Sequence, residues 1–462
     1  MYRREWLRAV GTVPALGTSR GVLNAGSSAA PGSVRWTHDL GDPTVSSPTV
    51  VDGTVYLGRK TGDVVALDAA DGTEQWAVET DGRQVFSSPA VVGGSIYAGS
   101  FDGNLYALDP SSGSARWTHE TEEGEAIVSS PTVAGETVYF GCNGMNMCAL
   151  DTTDGSVRWT KETRGSFISS PTVLDGTVYA GGYGSEVYAL STDDGSVQWQ
   201  YTTDASIFSS VTVASGTAVV GSDDGNVYAF DAASGSLQWT YDVDSKVRSS
   251  PTIVDNTVYI GSHDTNVYAL RLSDGTNQWS YETRGTVFSS PTVVGDTLYV
   301  GSDDGNVYAL ATADGSARWT YETGGEVRSS PTVVDGTIYV GSKDQKVYAI
   351  EAESSGSSSG TRVDLGTLGH DSTWPTTQAS AETSTSTRTA SQRTETTVRT
   401  ETETGETAVD TETEMGDTAV GTETDGTTGQ SAPGLGVLGG AAGVSLAGYS
   451  LWRSHTADDT EE

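Results

Sequence analysis

A Ser-Ser pair begins at Ser46 and returns at Ser87, Ser129, Ser169, Ser209, Ser249, Ser289 and Ser329, so the chain repeats itself in steps of 41, 42 and then 40 residues. Self-similarity at this period, with strand-like composition, is the signature of four-stranded units set side by side in a propeller or a solenoid. In one unit, residues 287–294 (Val-Phe-Ser-Ser-Pro-Thr-Val-Val) read as a first strand, Thr297–Gly301 as a second, 307–310 as a third and 317–321 as a fourth. Gly295-Asp296, Asp304-Gly305-Asn306 and Asp314-Gly315 turn the chain between them. Turns of this chemistry join antiparallel neighbours without crossovers, so each unit is a meander.

The ends of the array decide between an open and a closed form. Residues 33–40 (Ser-Val-Arg-Trp-Thr-His-Asp-Leu) read as a fourth strand with no preceding three, and the last unit stops after its third strand at 347–350 (Val-Tyr-Ala-Ile). Pairing the two completes an eighth sheet and leaves no unit without a neighbour, whereas an open solenoid needs polar capping units. The expectation is an all-β, eight-bladed β-propeller of four-stranded antiparallel blades over residues 33–352, closed by its N-terminal strand and monomeric. A Trp recurs on the fourth strand at Trp36, Trp76, Trp117, Trp159, Trp199, Trp239, Trp279 and Trp319. Burying each between sheets contributes about 2–3 kcal/mol, so these are read as blade-docking residues.

The pattern Asp68-x-x-x-Gly72-x-x-x-Trp76, repeated from Asp109 to Trp117, Asp151 to Trp159 and Asp231 to Trp239, resembles the tryptophan-docking repeat of PQQ-type quinoprotein propellers. That family includes quinone-dependent alcohol and glucose dehydrogenases and a non-enzymatic, BamB-like branch. The resemblance implies that a dehydrogenase would carry long inter-blade insertions, a vicinal Cys pair over the quinone, and a calcium held by Glu, Asn and Asp beside a catalytic Asp. Here the repeat length hardly varies, and Cys142 and Cys148 are six residues apart. The expectation is therefore no cofactor, no metal and no catalytic residue, with PQQ and calcium as the alternative.

Charge narrows the partners. The 25 basic and 61 acidic side chains leave a net charge of −36, with no Lys/Arg cluster, which repels phosphate backbones and excludes nucleic acid. An apolar content of 35% excludes a polytopic membrane protein. Only five of the basic residues are Lys, a balance that resembles adaptation to concentrated salt in halophiles. His38, His119, His263, His370 and His455 are scattered, and the Asp-Gly turns match hairpin preferences better than calcium loops.

Differences among the blades gather just before the Ser-Ser pairs, where Phe86, Phe208, Arg248, Phe288 and Arg328 stand among Val and Ile. They are expected to ring one mouth of the central channel. There the Arg residues either hold a partner's carboxylate or neutralise nearby Asp and Glu. Cys142 and Cys148 flank Asn143-Gly144 in a hairpin, as a bridge between its arms or as a thiol pair, and two Cys support no disulfide scaffold.

The ends read as addresses. Arg3 and Arg4, an uncharged stretch and a small-residue run make residues 1–30 resemble a twin-arginine export signal. Residues 353–430, rich in Ser, Thr, Glu and Gly, read as a disordered stalk. Residues 431–453 contain an uncharged run long enough for one membrane span, arranged like the C-terminal signals of archaeal surface proteins, before an acidic tail at 454–462. The function expected is an exported propeller anchored at the extracellular face of the membrane, binding a protein or peptide partner without catalysis. The alternatives are a quinone dehydrogenase and a structural or adhesive surface module.

Overall fold

The computed structural model describes residues 30–80 and 84–357. They form eight four-stranded antiparallel sheets around one axis, with the first strand of each innermost and the fourth at the rim. Blades 1 to 7 are consecutive in the chain. Blade 1 runs Thr49–Val51, Thr54–Gly58, Asp63–Asp68 and Glu74–Glu79. Blade 8 joins Thr332–Val334, Thr337–Gly341 and Lys346–Glu351 to Val34–Asp39.

The closing pair is antiparallel, with Trp36 opposite Ala349 and His38 opposite Val347, and a bulge between Val34 and Trp36 matches the bulge between third and fourth strands in the other blades. Backbone bonds from Gly32 N–H to Glu351 O (2.9 Å) and Leu40 N–H to Gln345 O (2.7 Å) extend the seam, and Arg35 pairs with Glu351. The ring is therefore sealed by main-chain hydrogen bonds between the two ends of the repeat region.

Apolar residues pack between blades rather than within them. One cluster joins Val187, Ala189 and Trp199 of blade 4 to Ile207, Val213, Val220 and Phe230 at and beside blade 5, and another joins Trp36, Val347 and Ala349 of blade 8 to Val55, Leu57 and Leu67 of blade 1. The recurring Trp makes the dock. Trp199 is 8% exposed and donates its indole N–H to Ala232 O of the next blade at 2.8 Å. Its ring lies under Gly235, whose φ is +70° and where a Cβ would fall 2.6 Å from the ring. Only glycine suits both the left-handed turn and that approach. Seven of the eight Trp donate such a bond. Trp319 is the exception: its buried N–H finds no partner among the described residues.

Two sequence expectations shift. The first strand begins at Thr292, not at Val287, because Pro291 has no N–H and the preceding serines bond to neighbouring segments instead of a ladder. At the other end, residues 353–357, assigned to the stalk, follow the propeller: Glu353 N–H donates to Tyr299 Oη at 2.9 Å and Gly336 N–H to Gly356 O at 3.0 Å. The export segment with Arg3 and Arg4, the rest of the stalk, segment 431–453 and the tail lie outside the described residues. Among the described residues no helix is long and apolar enough to cross a membrane.

Replacing Trp by Phe removes the indole N–H at equal cost in volume at two matched sites. Trp199→Phe is expected to lower unfolding free energy by at least about 1 kcal/mol more than Trp319→Phe in urea denaturation. Equal losses would show that the indole bond does not contribute.

Candidate functional site

The Ser-Ser pairs build the channel. The first hydroxyl of each pair accepts the N–H of the glycine ending the second strand, from Gly58 onto Ser46 (3.0 Å) to Gly341 onto Ser329 (2.8 Å). The second serine bonds across blades. Ser47 N–H donates to Ser88 Oγ at 3.0 Å, and the relay continues through Ser130, Ser170, Ser210, Ser250 and Ser290 to Ser330, whose N–H returns to Ser47 Oγ at 2.9 Å. One residue past the Pro, a Thr hydroxyl donates to the carbonyl at that Pro position in the next blade at 2.6–2.8 Å, in seven blades. Blade 2 carries Ala90 there instead. The eight inner serines, with Ile168 and Phe208, enclose a cavity of about 160 Å³ on the axis. The repeating Ser was visible in the sequence as a period, but its partner in the neighbouring blade was not.

Phe208, Arg248, Phe288 and Arg328 come together at one channel mouth as an alternating ladder. The Arg248 guanidinium lies 4.1 Å from the Phe208 ring centre and 5.8 Å from that of Phe288, and Arg328 lies 4.3 Å from Phe288. Each guanidinium is also forked onto a carboxylate: Arg248 onto Asp223 at 2.9 and 2.8 Å, and Arg328 onto Asp303 at 2.9 Å twice. Glu326 adds a second carboxylate to Arg328 at 3.1 Å and to Lys343 at 2.6 Å. Of the two roles open to these Arg residues, the structure has them neutralising acidic neighbours. Phe86 stands apart from the ladder and packs edge-on against Phe101 at 5.1 Å.

Sequence reasoning missed a second collar, the second residue after the glycine that ends each second strand. It supplies Asp223, Asp303, Tyr183, which packs on Phe208 at 5.7 Å, and His263, which packs on Phe288 at 4.3 Å. The signal was present in Ser222-Asp223, Ser262-His263 and Ser302-Asp303, at fixed distance from the Arg and Phe positions. Burial, then the charges of Arg248, Lys246 and Arg328, lower the His263 pKa to about 3.

In blades 2 and 5 to 8 the Asp of this turn is spent on hydrogen bonds. Asp224 accepts the Asn226 N–H, the Tyr228 O–H and the Asp204 N–H at 2.9–3.1 Å. Blades 3 and 4 have Gly144 and Gly184 at this position, and a carboxylate arrives from elsewhere. A Cβ on Gly144 would fall 1.1 Å from Glu125 Oε2, and one on Gly184 would fall 2.6 Å from Glu186 Oε2. Glu186 is 4% exposed with Oε2 unpartnered among the described residues, and burial raises its pKa despite Arg164.

Cys142 and Cys148 are buried free thiols, not a bridge. They share a face of blade 3, but the residue directly opposite Cys148 is Phe140, so the two Cys are diagonal neighbours across the hairpin. Cys142 Sγ donates to Glu125 Oε2 at 3.6 Å. The bond to Cys142, and then burial, raise the Cys148 thiol pKa.

The axial cavity, at about 160 Å³, is smaller than the ~300–1,000 Å³ usual for ligand pockets. Open grooves of 640 Å³ between blades 1 and 2 and 520 Å³ between blades 8 and 1 lie on the opposite face. Among the described residues no group of three His, Cys, Asp or Glu is placed to hold a metal.

Two pH dependences follow. A His with a depressed folded pKa leaves the unfolded chain binding the extra proton, so its contribution is lost as pH falls from about 6.5 toward 3. His263→Asn, the residue blade 3 carries there, is expected to flatten that part of a stability-versus-pH curve. A buried Glu with a raised pKa has the opposite sign, destabilising increasingly as pH rises above the unfolded carboxylate range. Glu186→Asn, the residue of blades 5, 6 and 7, is expected to raise Tm at pH 7 and to change it little at pH 4.

Comparison with known proteins follows from this geometry. A family model described as outer membrane protein assembly factor BamB matches residues 15–144, 120–210, 203–292 and 285–413. Comparison with curated proteins finds no match. Among solved structures, BamB from Moraxella catarrhalis is similar with a TM-score of 0.61 at 21% identity, covering 69% of this chain and 99% of that one. The computationally designed Ika8 protein gives a TM-score of 0.63 at 16% identity, covering 69% and 100%. Quinohemoprotein alcohol dehydrogenase from Comamonas testosteroni gives 0.59 at 16% identity, covering 71% and 78%. At these identities the structural likeness shows the propeller fold alone.

Proposed function

The chain belongs to the repeat family described as outer membrane protein assembly factor BamB, and from that premise we propose that it is a binding or assembly scaffold for a protein partner. It would be exported by residues 1–30, held at the outer face of the membrane by residues 431–453, and would catalyse no reaction. The observation that carries this reading is the ladder of Phe208, Arg248, Phe288 and Arg328 at one channel mouth. Aromatic and Arg side chains dominate protein interfaces energetically. Here Asp223 and Asp303 hold both guanidinium groups in one orientation, so little side-chain entropy remains to be lost on binding. Neutralised in this way, the ladder offers the half-buried Phe208 and Phe288 rings rather than an open cationic pocket. The acidic remainder of the molecule repels acidic non-partners.

The test is crosslinking in intact cells that express the full chain, followed by capture. A defined partner is expected with the wild-type chain and at least tenfold less with the Phe208→Ala, Phe288→Ala double variant, provided its Tm shows it folded. Equal capture would reject the channel mouth as the recognition surface, and capture of nothing but further copies of this chain would favour a structural or adhesive module. Reduction of a dye by purified protein given PQQ, calcium and an alcohol would overturn the non-catalytic reading.

A further inference from the structure

We propose that the axial channel binds a small monovalent anion of halide size at the ring of eight inner serines. Each hydroxyl of that ring accepts one backbone N–H from the preceding blade, at 2.9–3.1 Å. A serine hydroxyl also carries one donor hydrogen. None of the eight donates to a described residue, although all eight line the same cavity. Ser210, Ser290 and Ser330 are only 9%, 7% and 6% exposed, so these three hydroxyls are largely shielded from bulk water, and the other five are part-buried. A buried donor left without an acceptor costs about 1–3 kcal/mol, and one acceptor on the axis would serve several at once.

Hydrogen bonding selects the sign of the ligand. One lone pair of each hydroxyl is committed to an N–H, which leaves its hydrogen and one lone pair. The cavity wall includes Phe208, against whose ring the Arg248 guanidinium lies 4.1 Å away. Accepting an N–H strengthens each hydroxyl as a donor and weakens its remaining lone pair, so several converging hydroxyl hydrogens favour an anion over a cation. A volume of about 160 Å³ has room for a halide ion with accompanying water. The site touches the ladder at Phe208 but rests on the serine ring, and its test varies serines alone, so its failure leaves the binding role standing.

The full chain crystallised in sodium bromide, and separately in rubidium gluconate, decides the sign by anomalous scattering. A bromide peak on the axis within hydrogen-bonding distance of several inner Ser Oγ atoms is expected, with no rubidium peak there. In solution, replacing gluconate by bromide at constant ionic strength should raise Tm in proportion to the logarithm of bromide concentration. The Ser170→Ala, Ser290→Ala double variant removes two donors. Its Tm is expected to be flat against bromide, whatever its starting value, so any loss of stability is read separately from loss of the ion. A water-filled axis without bromide, rubidium on the ring, or equal bromide slopes in both proteins would each overturn the proposal.

Discussion

Pairing of Val34–Asp39 with Lys346–Glu351 is the interaction on which the rest of the molecule depends. Without it, blade 8 is three strands with an unpaired edge, blade 1 has one apolar face uncovered, and the cluster that joins Trp36 to Val55, Leu57 and Leu67 is not assembled. The seam is short, but it joins residues more than 300 positions apart, so the loop-closure entropy of the ring rests on few main-chain bonds. Ser330 N–H to Ser47 Oγ and the Thr332 hydroxyl to Pro48 O repeat the closure at the axis. The ring is thus sealed twice, at the rim by a sheet ladder and at the centre by serine and threonine side chains.

Near-eightfold repetition makes the exceptions informative. Where one blade departs from the common pattern, a compensating group usually comes from beside it. Gly144 leaves room for Glu125, and Gly184 leaves room for Glu186. Cys148 takes a position held by Tyr in six other blades, and the Tyr–Asp hydrogen bond of blade 5 has no counterpart beside it. The Trp319 indole lacks the bond its seven equivalents make. The Phe–Arg ladder belongs to the same class of departures. Two of eight collar positions carry Arg, each matched by an Asp on the preceding blade, which gives one sector of the mouth an identity the others lack.

Much of the fold was legible because a propeller is written locally. Strand composition, Asp-Gly turns and a constant step specify each meander, and the complementary ends specify closure. The first strand was read five residues too early, since Val287 and Phe288 have strand-like side chains while the Ser-Ser-Pro that follows has no ladder to join. Positions of the candidate mouth residues were legible from their place before each Ser-Ser. Their state was not. Whether Arg248 is an open cation or one arm of an ion pair depends on Asp223, 25 residues away on another blade, and the spacing carries no charge geometry.

Sequence alone determined the number of blades, their strand order and the seam that closes them, because these follow from periodicity and from which pieces are missing at each end. Only the tertiary structure decided what the recurring serines do, which Phe and Arg residues meet, and that the two thiols lie diagonally and unbridged. The reason is physical: a period identifies equivalent positions within each unit, but hydrogen bonds and stacked rings between units depend on the angle and separation at which neighbouring sheets pack.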